Sequence, residues 1–297
     1  MEQAHEEVVR SVAARGGVVV LLGGLDSGKT TLGRLIGRVA ITQGKTVAFV
    51  DSDVSQSTVG PPSTIGLKFC RTAEDFSYER MFEADALHFV GAISPQGHLI
   101  SLLSGTALLV QQAKGSGADL VILDTSGLVS GIYGQQLKYH KLELVNPDVV
   151  IALQRGEELD PLVGIVQRFF AAEVHSLPVD AEVVPTSVDQ RADNREESMR
   201  RYFRDPLQRW RVRSTVFMPT LPALFDLREL DHLLVGLSDG KGSCLGVGYL
   251  EHSADEDVLR LVSPAAEAPK ALRLGSLRLE DGFHLRRVDL GGLFGSE

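Results

Sequence analysis

Cysteine is scarce in this chain of 297 residues. Its two cysteines, Cys70 and Cys244, lie far apart in the sequence, with no CxxC pair and no histidine cluster at the spacing of metal ligands. A disulfide framework or a structural zinc site needs several such residues at short, regular spacing. The sequence therefore argues against both, and the eight scattered histidines are better explained as surface or packing residues.

Long hydrophobic runs are also missing. No apolar stretch approaches the roughly 18 residues that a membrane-spanning helix requires. The first residues, MEQAHEEVVRSVAARGG, mix acids and arginines without the apolar core of a signal peptide. We therefore expect a cytoplasmic protein that has no membrane partner.

The chain is acidic overall, but one segment carries a net positive charge. The formal net charge is −9, so any contact with nucleic acid must be local. Residues 191–213 nevertheless carry eight arginines and four acids, a net charge of +4. Arg191, Arg195 and Arg201 fall at spacings that can share a helical face, and guanidinium groups match phosphate oxygens. The segment is compatible with a basic lid over a phosphate site and with a solvated, salt-bridged helix.

Short apolar runs alternate with helical patterns through the first two thirds of the sequence. The runs that predict buried strands are VVVLL (18–22), TVAFVD (46–51), ALHFVG (86–91), LVILD (120–124), VVIAL (149–153) and EVVPT (182–186). Helical spacing is found in TLGRLIGRVAIT (31–42), HLISLLSGTALLVQQAK (98–114), QQLKYHKLELV (135–145) and PLVGIVQRFFAAE (161–173). This alternation predicts an α/β fold with a parallel sheet, helices on both faces, and ligands beyond the carboxyl ends of the strands.

The pattern changes near Pro222. Short apolar runs are now separated by Gly, Asp and Ser, and DGKG (239–242) has the composition of a hairpin turn. We therefore predict two domains: an α/β domain at 1–220, with an arginine-rich lid at about 187–213, and a small all-β module at 221–297.

A phosphate-binding loop follows the first predicted strand. Residues 23–30, GGLDSGKT, match GxxxxGK[ST] and stand between a strand and a helix, which is the context the motif requires. Backbone N–H groups and the helix N-terminus would hold the phosphates, Lys29 would neutralise the β and γ phosphates, and Thr30 would bind Mg²⁺. The predicted nucleotide-binding residues are Gly23, Gly24, Leu25, Asp26, Ser27, Gly28, Lys29, Thr30 and Thr31.

Carboxylates follow two further strands. Asp124 opens a DxxG sequence, in which the acid can hold Mg²⁺ and the amide of Gly127 can face the γ-phosphate. Asp51 and Asp53 end the strand TVAFVD, and alternation along the strand would direct both side chains to the ligand edge. A carboxylate there could accept a proton from an attacking hydroxyl, orient the metal ion, or only cap a turn.

Five sequence blocks together resemble the polynucleotide 5′-hydroxyl kinase family, which includes the RNA kinase of the pre-mRNA cleavage machinery and kinases of ribosomal-RNA processing. FVDSDVSQSTVGPPSTIG (49–66) resembles the family's D-x-D-x-G-Q…P-G-T-x-G block. HFVGAISPQG (88–97) resembles its substrate clasp, VILDTSGLVSGIYGQQL (121–137) its N-T-x-G-W segment, and SVDQRADNREESMRRYF (187–203) its lid. With the phosphate-binding loop, the resemblance covers about residues 16–205.

The resemblance implies ATP-dependent, Mg²⁺-assisted phosphorylation of the 5′-hydroxyl end of RNA or DNA. It implies that Asp53 activates the hydroxyl and contributes to the metal site, with Lys29, Arg195 and Arg200 as the other catalytic residues. Gln56, Ser94, Pro95, Gly127 and Arg191 would contact the substrate. Leu128 stands where the family usually has a tryptophan suited to base stacking, Ser55 and Ser63 replace glycines, and the clasp reads ISPQ instead of TTPG.

Three other functions use some of the same parts. A regulatory GTPase or metallocentre-assembly NTPase would share the loop and DxxG, but its guanine site needs NKxD, and the nearest match, TSVD at 186–189, lacks the lysine. A small-metabolite kinase would use the same phosphoryl-transfer groups. A scaffold that has lost catalysis would not need Lys29, Thr30, Asp53, Arg195 and Arg200 together. The oligomeric state is not indicated by the sequence.

Overall fold

The structure, a computed structural model, describes residues 3–180, 182–204, 206–222, 225–256 and 258–294. A parallel sheet forms its centre, in the strand order β7, β6, β1, β5, β2. These strands are β1 (Gly17–Gly23), β2 (Val47–Ser52), β5 (Leu120–Thr125), β6 (Val149–Gln154) and β7 (Glu173–Pro178). The predicted α/β fold is confirmed.

Helices cover both faces of the sheet. On one face, α1 (Gln3–Arg15) and α2 (Lys29–Thr42) pack on strand side chains such as Val19, Phe49 and Ile122. On the other face, the helices pack on Val20, Val50 and Leu123. They are α4 (Leu99–Gly115), α5 (Gly131–Val145) and α6 (Asp160–Phe169). Continuous apolar strands are stable here because both faces are buried.

Two antiparallel strands extend the sheet beyond β2. β3 (Thr64–Cys70) pairs with β2 and β4 (Ala86–Phe89) pairs with β3, so β4 again runs parallel to β2. The short α3 (Tyr78–Phe82) lies between them in the chain. The ends of β1, β2, β4 and β5 consequently face the same way, and we call this side of the sheet the carboxyl edge.

The predicted strand at 182–186 is wrong. The last parallel strand is β7, whose first residue the sequence analysis assigned to the preceding helix, and residues 182–186 form no strand. β7 is the outermost strand on its side and buries only Leu177, so its apolar pattern is weak. The valines at 183 and 184 instead line a cavity at the carboxyl edge.

The C-terminal part is built mainly of antiparallel strands. β10 (Leu233–Ser238) pairs with β11 (Cys244–Ser253) across the DGKG sequence, which confirms the hairpin, and β11 meets β4 at the pair Cys244 and Leu87. The other strands are β8 (Gln208–Val212), β9 (Phe217–Met218), β12 (Val258–Ser263), β13 (Ala271–Leu279) and β14 (Leu285–Arg287). A short α8 (Leu290–Phe294) follows β14.

The basic segment at 187–213 divides between two elements. Its first part is the helix α7 (Val188–Tyr202), whereas β8 pairs with β12 of the C-terminal part. The short β9, also before residue 220, pairs in parallel with β13. The division into domains at 220 stays a prediction. Strands that precede residue 220 are hydrogen-bonded to strands that follow it, so one sheet extends across this position. None of the helices in the described ranges has the length and apolar character of a membrane span.

Candidate active site

The phosphate-binding loop connects β1 to α2 at the carboxyl edge. Gly28, the N-cap of α2, has a φ of 83°, a left-handed conformation that glycine adopts without strain. The Lys29 side chain folds back over the loop, where Nζ donates to the Gly24 carbonyl (2.7 Å) and the Ser27 hydroxyl (3.2 Å). Burial lowers the pKa of Lys29, while Asp124 and Asp53 favour its charged form. Phosphate oxygens could replace both bonds of this ammonium group.

Asp124 and Thr30 form a site suited to a divalent cation. The Thr30 hydroxyl donates to Asp124 Oδ2 (2.5 Å), and Asp124 Oδ1 is buried with no hydrogen-bond partner in the described part of the chain. Burial raises the pKa of Asp124, although Lys29 and the Thr30 hydroxyl oppose this shift. A buried carboxylate oxygen with no hydrogen-bond partner destabilises the folded state unless a donor or a cation compensates it. One carboxylate, one hydroxyl and nucleotide phosphates are a typical ligand set for Mg²⁺, so these residues fit the ion.

Asp51 and Asp53 have different surroundings. Asp51 Oδ2 accepts from the amides of Thr58 and Val59, and its Oδ1 accepts from the amide of Asp53 (2.9 Å). Burial raises the pKa of Asp51 to about 8, and the charges of Asp124 and Asp53 act in the same direction. Asp51 therefore organises the loop after β2 and does not line the cavity.

Asp53 is the carboxylate of this pair that lines the cavity. Its Oδ1 accepts from the amides of Ser55 (2.9 Å) and Gln56 (3.1 Å), which holds the side chain in a fixed direction. Among the residues that the structure describes, its Oδ2 has no hydrogen-bond partner. The residue thus combines the turn-capping role with an oxygen that a substrate hydroxyl could reach.

Two buried lysines below the site were not found by sequence reasoning. Lys138 and Lys141 of α5 are 0% and 1% exposed. Lys138 Nζ donates to Thr125 Oγ1 (2.9 Å) and the Ser126 carbonyl (2.5 Å), and Lys141 Nζ donates to Ser52 Oγ (2.7 Å). Burial lowers the pKa of both, to about 8 for Lys141, although Asp53 and Asp124 favour their charged forms. They tie α5 to the ends of β2 and β5, next to the carboxylates.

A cavity of about 340 Å³ lies over the loop. The predicted site residues that line it are Leu25, Asp26, Ser27, Gly28, Lys29, Thr30, Thr31, Asp53, Gln56, Asp124, Gly127 and Arg191. Gly23 and Gly24 belong to the same turn, where a Cβ on Gly23 would lie 2.3 Å from Ser27 Oγ. A Cβ on Gly127 would lie 2.7 Å from the Leu25 amide nitrogen. DxxG and the phosphate-binding loop are therefore in direct contact.

The helix α7 is held over this cavity by the loop itself. Arg191 Nη2 forms a salt bridge with Asp26 Oδ2 (2.5 Å), which also accepts from the Thr186 amide (3.0 Å). Burial acts to raise the pKa of Asp26, but the bonds from Arg191 and Thr186 hold it below its usual value. Gln56 Nε2 donates to the Arg191 carbonyl (3.0 Å). We call the contact between Asp26 and Arg191 the latch.

Arg195 and Arg200 occupy different positions on α7. Burial lowers the pKa of Arg195, which is close enough to Asp53 to be influenced by its charge. Arg200 faces elsewhere: its guanidinium bonds Glu197 (2.6 Å) and the Gly282 carbonyl (3.2 Å) and lies over the Phe283 ring. Arg200 does not line the cavity.

The clasp-like segment also lies at the carboxyl edge, because it follows β4, but Ser94 and Pro95 do not line the cavity. The Pro95 carbonyl accepts from the Tyr133 hydroxyl (2.8 Å) and from the His98 amide (3.0 Å). The Ser94 hydroxyl accepts from the Gln96 amide (3.4 Å). Tyr133 belongs to α5, so this helix positions both DxxG and the clasp.

Residues 23–205 match the sequence profile of the family described as mRNA cleavage and polyadenylation factor CLP1 P-loop. The chain belongs to the CLP1 P-loop family. The matched range contains every site residue discussed above, and it ends three residues after the last residue of α7, Tyr202.

The chain is similar to archaeal relatives of this family over most of its length. It is 28% identical to the polyribonucleotide 5′-hydroxyl-kinase of Methanocaldococcus jannaschii, over 91% of this chain and 90% of that protein. It is 29% identical to the polyribonucleotide 5′-hydroxyl-kinase of Pyrococcus furiosus, with the same two coverages. The fold is similar to that of a chain in the wild-type Clp1p–Pcf11p (454–563) complex, with a TM-score of 0.71, 15% identity, and 92% of this chain and 77% of that chain covered.

Proposed function

We propose that this protein transfers the γ-phosphate of ATP to the 5′-hydroxyl end of a polynucleotide. The observation that carries the proposal is the convergence of Lys29, Asp53 and Asp124 on one cavity at the N-terminus of α2. The CLP1 P-loop family membership and the kinase names of the archaeal relatives support the same reaction.

Each group has a place in this reaction. The loop amides and Lys29 would bind the β and γ phosphates, and Thr30 with Asp124 would hold Mg²⁺. The ion, when bound there, neutralises charge on those phosphates. Asp53 Oδ2 accepts the proton of the attacking 5′-hydroxyl, while its Oδ1 stays bonded to the loop amides. The negative charge that develops on the transferring group would be stabilised by Lys29, Arg191 and Arg195.

The acceptor would enter between the clasp and α7. Gln56 lines the cavity and bonds the backbone of α7, so it can order both the acceptor end and the helix. Ser94, Pro95 and Gly127 would position the acceptor at the same edge. Activity on DNA as well as RNA ends, and a cytoplasmic location, stay predictions.

A GTPase is the weaker alternative on a specific observation. In TSVD (186–189), the Ser187 hydroxyl accepts from the Gln190 amide, and the Gln190 side chain bonds the Ser187 amide. The sequence therefore forms the N-terminal cap of α7 instead of a guanine-binding site. A small-metabolite kinase would use the same groups, so the acceptor must be tested directly.

The test is incubation of the purified protein with γ-labelled ATP, Mg²⁺ and matched 5′-hydroxyl RNA and DNA oligonucleotides. We expect label on the 5′ end of at least one polymer and none with Lys29→Ala. The same polymers with a 5′-phosphate are the matched acceptor control and should stay unlabelled. ATP turnover without label on either polymer would contradict the proposal and favour a metabolite kinase or a regulatory NTPase.

A further inference from the structure

Two arginine side chains lie between α7 and the C-terminal strands. Within the described residues, the side chains of Arg195 (α7) and Arg287 (β14) make no hydrogen bond or salt bridge. Burial is the main cause of the lowered pKa of Arg195, and the charge of Arg287 acts in the same direction. Glu196 also acts on Arg195, but its carboxylate is bonded to His284 (2.9 Å). Like charges held near each other in this way suit an anion.

The segment that leads into β14 packs along α7. It runs in the opposite direction to the helix, because successive contacts join Gly282 to Arg200 and then His284 to Glu196. Leu285 is buried in the same cluster as Met199 and Phe203 of α7. Arg287 follows Leu285 by two residues, so β14 carries it further along the same side, towards the N-terminal half of α7.

Alternation along β14 places the neighbouring arginine on the other side. Arg287 shares a face with Leu285, whereas Arg286 points to the opposite face and pairs with Glu280. The two exposed arginines are adjacent in sequence, yet Arg287 alone of the two lies beside α7.

Arg287 also lies near the clasp-like segment, because it pairs with Leu277 of β13, the residue after Ser276. It contributes to the lowered pKa of His98, the residue before α4, although burial is the main cause. The backbone here is held to β13, because Ser276 Oγ bonds His98 Nε2 (3.0 Å) and the Gly91 carbonyl (3.1 Å). The residue after β14 is joined to the same serine, since the Val288 amide donates to the Ser276 carbonyl (2.9 Å). Positive side chains thus extend from Arg195, near Asp53, to Arg287, near the clasp.

We infer that Arg287 is a substrate-binding residue, which contacts a backbone phosphate of the acceptor strand as it leaves the site between α7 and the clasp. The inference rests on the proposed function, and it extends that function to the C-terminal strands. Arg195 would contact the acceptor end or the transferring group, and Arg287 a phosphate on its 3′ side. The contact is with the sugar-phosphate backbone, so it carries no base preference.

The experiment compares steady-state phosphorylation of a short 5′-hydroxyl RNA oligonucleotide by wild type, Arg287→Ala, Arg287→Glu and the control Arg286→Ala. We expect KM for the oligonucleotide to rise about threefold with Arg287→Ala and about tenfold or more with Arg287→Glu. KM for ATP and kcat at saturating oligonucleotide should stay unchanged, and Arg286→Ala should differ from wild type by less than about twofold. An unchanged oligonucleotide KM, an equal rise with Arg286→Ala, or a loss confined to kcat would overturn the inference.

Direct binding separates this inference from the proposed function. If wild type phosphorylates no 5′-hydroxyl, fluorescence anisotropy with the same oligonucleotide, labelled at its 3′ end, still measures the contact. Weaker binding by Arg287→Glu but not Arg286→Ala would then support the anion site while the kinase proposal fails. Equal binding by all four proteins would reject the site itself.

Discussion

At the scale of single residues, the site depends on carboxylates that have similar sequence positions and different surroundings. Asp51 and Asp53 are two residues apart, but Asp51 bonds three loop amides and Asp53 lines the cavity. The sequence predicted the ligand edge for both. Only the path of the loop after β2, which returns the amides of Thr58 and Val59 to Asp51, separates their roles, and no local pattern contains that information.

The two lid arginines should respond differently to substitution. Arg195 lies within electrostatic reach of Asp53, whereas Arg200 bonds Glu197 and Gly282 outside the cavity. We expect Arg195→Ala to lower kcat by about 100-fold, because charge on the transferring group loses a stabilising partner. Arg200→Ala should change kcat by less than about threefold. Steady-state rates at saturating ATP and oligonucleotide measure both, and a larger loss with Arg200→Ala would show that α7 rearranges before transfer.

His88 should make the protein sensitive to acid. Burial, with a smaller effect from Arg273, lowers the pKa of His88 to about 4. Because the unfolded state then binds more protons between pH 4 and 6.5, stability is lost as the pH falls through this range. From pH 7 to pH 5 this residue should account for about 2 kcal/mol of the loss. Urea unfolding at both pH values should show a correspondingly smaller loss for His88→Gln, and an equal loss would contradict the assignment.

At the scale of elements, the strands around the site were predictable and the outer ones were not. β1, β2, β5 and β6 are buried on both faces, so their apolar runs are continuous and identify them. β7 is mostly exposed, and its position was predicted wrongly. β3 was not predicted, because its first residues belong to the sequence block at 49–66. The helix α1 was not predicted, although its residues Val9 and Val12 are buried.

The buried lysines show a second limit of sequence patterns. A helix containing QQLKYHKLELV would normally turn its lysines to solvent, so Lys138 and Lys141 were assigned no role. They are buried because the carboxylates of the site and the ends of β2 and β5 supply their partners. Such a match depends on two distant parts of the chain and is visible only in three dimensions.

The latch should control how firmly α7 covers the cavity. Asp26→Asn removes the charge that Arg191 contacts, and the pair is only about one-fifth exposed on each side. We expect faster amide hydrogen exchange in α7, because one end of the helix loses its tie to the phosphate-binding loop. Exchange in α4, which does not contact the latch, serves as the internal control. Unchanged exchange in α7 would mean that the packing of Met199 and Phe203 holds the helix alone.

At the scale of the whole molecule, a small basic region lies within an acidic protein. The net charge of −9 repels a polynucleotide at long range, so binding must come from the arginines gathered around one cavity. The overall charge was readable from the sequence. The convergence of α7, the clasp and β14 was not, since these segments are far apart in the chain.

This distribution predicts a different salt dependence for the two substrates. KM for the polynucleotide should rise steeply with salt, with a logarithmic slope of about 0.7 for each backbone phosphate contacted. KM for ATP should rise less, because the buried loop and Lys29 are screened less. Initial rates over a series of salt concentrations measure both slopes, and equal slopes would argue against a strand bound along the arginines.

The central claim is that Asp53 activates a 5′-hydroxyl for attack on ATP held by the loop. The most direct measurement is single-turnover transfer from γ-labelled ATP to a 5′-hydroxyl oligonucleotide, with ATP binding measured in parallel, for wild type and Asp53→Asn. The account predicts 5′-terminal label with wild type, and near-complete loss of transfer with nearly intact ATP binding for the variant. Transfer by Asp53→Asn at the wild-type rate would contradict it.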